Sequence, residues 1–185
     1  MQPMQKVPIV LAALLFVLAA IAEIATGRSQ GAGDTDTMEQ NRRAALTQVD
    51  EALARQDLME ARRASQAAYE LARQSRSWRA LVDAADAYRR IAAASTLQAP
   101  AATSRAREIY LAALTRARAE RSVEGVLRAA EGFAALGDRE VAEQALHVAA
   151  KLAARARDAA APTTVEMARG RLLEGPGAGI TRAAF

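Results

Sequence analysis

One histidine, His147, and no cysteine occur in the whole chain, so the side chains most used for acid–base, nucleophilic and transition-metal chemistry are nearly missing. Without cysteine there is no disulfide, thiol chemistry, lipid-modified cysteine anchor or thiolate metal site. His147 has no second histidine beside it and falls one position beyond the inward Leu146 of a helical run, where a surface residue is expected rather than a general base. Asp34 and Asp36 have the spacing of a calcium-loop fragment, but the glycine and closing glutamate of such a loop are absent. The run Gly175 to Gly179 (GPGAG) lacks the helix and lysine that follow the glycines of a phosphate loop. Asp and Glu are abundant but alternate with Arg at spacings suited to surface ion pairs. The residues predict a non-enzyme, with no catalytic site, no metal and no cofactor.

Charge excludes a further class. The 25 basic residues are offset by 21 acidic ones, for a net charge of +4. They are interleaved, as in AREIYLAALTRARAER (residues 106–121). That pattern describes a solvated helix face, and no basic block or aromatic stacking set is present, so no nucleic-acid partner is expected.

What must position any functional side chain is a set of helices. The composition is 51% hydrophobic but 4% aromatic, because alanine dominates, and Ala, Leu, Arg and Glu are all good helix formers. Val, Ile and Thr are scattered rather than alternating, so no segment competes as a strand. The chain is all-α in this reading, with 185 residues giving room for one folded domain after a distinctive front end.

That front end, residues 1–25, holds the uncharged run Val7 to Ala22 (VPIVLAALLFVLAAIA), preceded by Lys6 and closed by Glu23. It reads equally as a signal peptide and as a retained N-terminal transmembrane anchor. Ala20-Ile21-Ala22 and Ala25-Thr26-Gly27 satisfy the small-x-small rule for cleavage, whereas an uncleaved segment would hold the protein on the membrane through residues 7–25. Either way Lys6 and the α-amino group keep the short amino end inside, so the domain is expected to be periplasmic or extracytoplasmic, with an inner-membrane anchor if the segment is retained. Arg28, Arg42 and Arg43 leave an inverted anchor with a cytoplasmic domain as the alternative. Residues 26–37 (TGRSQGAGDTDT) form a flexible linker, 38–174 the helical domain and 175–185 a disordered tail.

Within the domain, the apolar period predicts helices from about Met38 to Arg55, from Leu58 to about Gln74, from Trp78 to Ala94, from Arg105 to about Glu120, and on both sides of Leu136-Gly137-Asp138. Gly137 suits a left-handed helix end, and Asp138 and Asp57 suit N-caps. Asp36 or Thr37 is expected to cap the first helix, Ser95 to Ser104 with Pro100 to form a loop, and Thr163-x-x-Glu166 to cap a last helix. The inward residues are Ala45, Val49 and Ala52; Ala61, Ser65 and Ala68; Leu81, Ala84, Ala85 and Tyr88; Ala106, Tyr110 and Ala113; Val126, Ala129, Ala130 and Phe133; and Ala142, Leu146 and Ala149. The hairpins share a spacing: Ala52 to Ala61 and Phe133 to Ala142 are both nine residues, and Ala68 to Leu81 and Ala113 to Val126 both thirteen.

A small-residue pair, an aromatic, a Gly-Asp turn and an Ala-x3-large-x2-Ala second helix, best developed in residues 126–149, resemble the tetratricopeptide repeat. The likeness extends over about residues 38 to 157 and implies stacked antiparallel hairpins, a TPR-like α-solenoid of about three hairpins plus a C-terminal capping helix. Ala61, Ala106 and Ala142 recur at 45 and 36 residues, above the family's repeat of about 34, and the family's closing proline is missing. An unrelated antiparallel bundle with alanine seams is the alternative arrangement. In the family, the first helix of each pair lines a groove that receives a peptide or helix. Carried over, that surface holds Arg43, Leu46 and Asp50, then Arg79, Val82, Asp86, Arg89 and Arg90, then Glu124, Leu127 and Glu131. It implies a row of acids at Asp50, Asp86 and Glu131 opposite a basic side, while intrahelical pairing on a solvated face accounts equally well for the same charges.

The expected function is that of an exported or membrane-anchored adaptor that binds a protein or peptide in this groove. The alternatives are a self-associating scaffold and a non-catalytic accessory subunit of an envelope enzyme or assembly complex.

Overall fold

The computed structural model describes residues 36–156 and 160–173. The leader, the linker up to residue 35 and the tail 175–185 lie outside the described residues. The chain divides into two compact units, Met1–Gln40 and Asn41–Phe185; of the first unit only residues 36–40 are described, and they are helical. No described helix is long and apolar enough to cross a membrane.

The described residues form helices joined by short turns, with no strand among them. These are α1 (36–54), α2 (Leu58–Ser75), α3 (Trp78–Ala94), α4 (Ala99–Ala119), α5 (Val123–Ala135), α6 (Arg139–Ala153) and α7 (Ala161–Leu173). Four of the turns use one device, a residue with positive φ followed at once by the N-cap of the next helix. The pairs are Gln56-Asp57 (φ 60°), Arg76-Ser77 (54°), Arg121-Ser122 (56°) and Gly137-Asp138 (83°). At three of them the amide after the left-handed residue reaches back to close the helix end: Asp57 to the Ala52 carbonyl, Ser122 to Ala117 and Asp138 to Phe133, each at 2.9 Å. Side-chain caps follow. Asp57 accepts from the Glu60 amide at 2.9 Å, Ser77 from Ala80 at 3.4 Å and Ser122 from Gly125 at 3.0 Å.

Several local expectations are corrected. Asp36 and Thr37 are already helical, so neither caps α1, and the helix takes in the last two residues of the span read as a linker. Asp138 sits at the N-cap of α6 but makes no capping hydrogen bond, because Arg107 takes its carboxylate at 2.6 and 2.9 Å. The segment read as a loop up to Ser104 turns helical at Ala99. Pro100 lies in the first turn, where a proline's missing N–H costs nothing and its fixed φ suits a helix. Thr163 is inside α7, which begins at Ala161, so it is not a cap.

Helices pack as neighbours in sequence: α2 on α3, α3 on α4, α4 on α5, α5 on α6 and α6 on α7. Alternate helices also meet, α3 on α5 and α5 on α7, and α1 is tied to α3 by Arg42–Asp83 at 2.7 Å and Arg90–Asp50 at 3.2 Å. All the predicted inward residues are buried. Most buried apolar residues are alanine, with Tyr110, Phe133, Ile91, Ile109 and Leu146 as the largest fully buried side chains. Tyr110 and Phe133 meet at a centroid distance of 5.9 Å with their rings tilted by 51°. Close approach is needed at α5: a Cβ on Gly132 would clash with the Tyr110 ring at its Cε1, and one on Gly125 would lie 2.6 Å from Ala117 Cβ and 2.8 Å from Trp78.

Candidate functional site

Since α1, α3, α5 and α7 are successive neighbours, the residues assigned to a groove can be located one by one. Asp50, Arg79 and Glu124 are exposed, as is Arg43, while Asp86, Arg89, Arg90 and Glu131 are half-buried. Leu46 is half-buried and packs against Val49, Ala64 and Ala87. Val82 and Leu127 are 2% and 6% exposed, so neither stands out on the surface as the repeat position implied. The reason is topological. α3 is flanked by α2, α4 and α5, so a position that is outward on a helix at the edge is inward on this one.

The charges do not form separate basic and acidic rows. They pair across the helices: Asp50 with Arg90, Arg42 with Asp83, Arg79 with Glu124 at 2.6 Å, Asp86 with Arg128 at 3.6 Å and Glu131 with Arg171 at 3.8 Å. A ladder therefore runs from α1 through α3 and α5 to α7. Within helices, Arg89 meets Asp86 at 3.4 Å and Arg128 meets Glu131 at 3.0 Å. The Arg79 guanidinium also stacks 4.3 Å above the Trp78 ring.

Asp86 is the centre of this network, and it is not a simple surface acid. Its Oδ1 accepts the Tyr110 hydroxyl at 2.5 Å. Burial first, and the Asp86 carboxylate second, push the Tyr110 hydroxyl well above the ordinary phenol range. Burial works against the charge of Arg89, but Tyr110 and Asp86 more than compensate, and its pKa is raised.

Two small recesses open on this face and share Arg128. One, of about 240 Å³, is lined by Asp86, Arg89, Arg128, Glu131, Gly132 and Ala135. The other, of about 190 Å³, has Val82 at its floor and Trp78, Arg79, Asp83, Glu124 and Arg128 around it. Arg42, Arg128, Trp78 and Arg171 are the participants that the groove assignment from sequence misses. Arg128 was within reach of it, lying four residues after Glu124 and three before Glu131 on one helix. No group of three or more His, Asp or Glu converges to hold a metal ion among the described residues, and His147 is exposed on α6.

No protein-family model matches the chain, and a search of curated proteins returns no match.

Proposed function

We propose that the protein is a non-catalytic adaptor of TPR-like solenoid type, carried outside the inner membrane by its apolar front end, that binds a protein or peptide on the face formed by α1, α3 and α5. The observation that carries this reading is the pair of adjoining recesses around Arg128, each bordered by both signs of charge and the smaller one floored by Val82. Neighbouring guanidinium and carboxylate groups, each held by partners on another helix, give a partner preset hydrogen-bonding positions with little ordering cost. Because the ladder is internally neutralised, recognition here depends on a partner that exchanges these pairs rather than on bulk attraction. Leu127 supports the face from below, and Val82 is reached only at the floor of the smaller recess.

The test is site-specific photo-crosslinking in the native envelope, with the reactive side chain at Ala135 or Glu124 and, as control, at Glu143 on the outer side of α6. A discrete adduct at the first two positions, absent at the third and lost on Arg128→Glu, is the expected result. Equal labelling at all three, or none, would remove the groove assignment. Asp86 is unsuited to such a test, because reversing its charge also strands Tyr110.

A second reading, self-association, is favoured by one feature. The outer side of α4 presents Leu111 at 55% exposure beside exposed Ala112, Thr115 and Ala119, a strip small enough for another helix to approach closely. Light scattering decides it: a monomer at all concentrations rules assembly out.

A further inference from the structure

The hairpin that departs from the common spacing builds a cavity of its own. Tyr88 to Ala106 is eighteen residues where the corresponding distance in the other hairpins is nine. The added length is the turn 95–98 and the first turns of α4. It is ordered, with the Ala99 amide on the Ser95 carbonyl at 2.9 Å and the Ala102 amide on Gln98 at 3.0 Å. This extension walls a cavity of about 630 Å³ together with α2 and α3, a size within the range of about 300 to 1,000 Å³ typical of small-ligand sites.

Its lining divides into two parts. Ile91 and Ala102, 1% and 7% exposed, form an apolar floor, and Leu97, left 89% exposed, stands at the lip. The polar groups are Arg62 and Gln66 from α2, Tyr88 from α3, and Arg105 and Glu108 from α4. Most of these are already held. The Tyr88 hydroxyl donates to Gln66 Oε1 at 2.9 Å, Arg105 donates to Glu108 at 2.7 Å, and the Arg105 guanidinium lies 4.6 Å above the Tyr69 ring. Arg62 has no ion-pair partner among the described residues. Since Glu108 offsets Arg105, the lining retains one uncompensated positive charge, and it stands beside an apolar floor.

We infer that this cavity binds a small amphipathic organic anion, its carboxylate on Arg62 and its short apolar chain against Ile91, Ala102 and Leu97. An anionic head satisfies the free guanidinium with charge-assisted hydrogen bonds, and the chain removes the Leu97 side chain from water. A cationic head would meet the uncompensated charge of Arg62, with Glu108 already engaged by Arg105. The site is independent of the partner face around Arg128 and stands or falls without it.

The test uses the full chain and hexanoate, with acetate and hexylammonium as comparators, followed by methyl resonances of Ile91, Leu97 and Ala102. Hexanoate is expected to shift all three saturably at millimolar concentration, acetate far more weakly, and hexylammonium not at all. Arg62→Gln, at an exposed position, should raise the Kd for hexanoate about tenfold. Ala101→Trp should fill the cavity and abolish the shifts. No saturable shift with hexanoate, equal binding of hexylammonium, or an unchanged Kd in Arg62→Gln would each overturn the assignment. If Ala101→Trp lowers helicity, the Arg62→Gln comparison alone decides.

Discussion

Tyr110 on α4 donates its hydroxyl to Asp86 on α3 at 2.5 Å, where Arg89 and Arg128 also approach the same carboxylate. One half-buried acid thus joins the core of the protein to its charged face. Tyr110→Phe keeps the ring against Phe133 but removes the donor, so a loss of about 1.5–3 kcal/mol is expected, the range for a hydrogen bond to a charged group. Urea unfolding measures it; an unchanged midpoint would show the bond to be energetically idle.

The two buried tyrosines also set the alkaline limit. Burial raises the pKa of both Tyr88 and Tyr110, with Asp86 adding to the effect at Tyr110. A group whose folded pKa lies above its unfolded value of 10.0 contributes stability that is complete below that pH and is lost as pH rises above it. Melting temperature should therefore show no pH dependence from these groups between about pH 7 and 9 and fall above about pH 10. Tyr110→Phe should make that fall shallower. A drop of the same steepness in the variant would assign it to other groups.

Glycine and non-glycine positions respond in opposite senses. Gly132→Ala should destabilise by about 1–3 kcal/mol, despite alanine's better helix propensity, because the new methyl enters the Tyr110 ring space. Gln56→Gly and Arg121→Gly should instead stabilise by about 0.5–1 kcal/mol each, relieving left-handed backbone strain at the turns. Thermal melts of the three single variants test both signs, and a stabilised Gly132→Ala would mean that α4 and α5 stand farther apart than described.

The rungs of the ladder differ in worth. Arg79 and Glu124 are 62% and 63% exposed as side chains, so Arg79→Ala should cost at most about 0.5 kcal/mol in 0.15 M salt. The Arg42 side chain is 9% exposed, and Arg42→Ala, which strips buried packing as well as charge, should cost about 1–3 kcal/mol. Chemical denaturation compares them directly; equal effects would refute burial as the deciding factor.

The helical period exposed the inward residues well, because small side chains at Ala61, Ala68, Ala106, Ala113, Ala142 and Ala149 recur at spacings only a close helix seam requires. Gly137 announces its turn by being glycine. Gln56, Arg76 and Arg121 adopt the same left-handed backbone without any compositional sign, and the Ser77 and Ser122 caps that follow are legible only once those turns are known. Pro100 reads as a breaker unless its place in a first turn is recognised. At the candidate face the charged residues were legible, but their pairing was not: Asp50 with Arg90 and Arg79 with Glu124 are set by which helices lie side by side. Val82 and Leu127 look outward by repeat position alone, and only the neighbours of α3 and α5 bury them.

The alanine seams have a calorimetric corollary. A methyl group gives up no rotamer freedom when it is enclosed, yet it withdraws little hydrocarbon from water. The heat-capacity change of unfolding follows that hydrocarbon area. A domain joined mostly through methyls therefore has a shallow stability curve, holding nearly constant strength across a wide span of temperatures instead of peaking sharply at one.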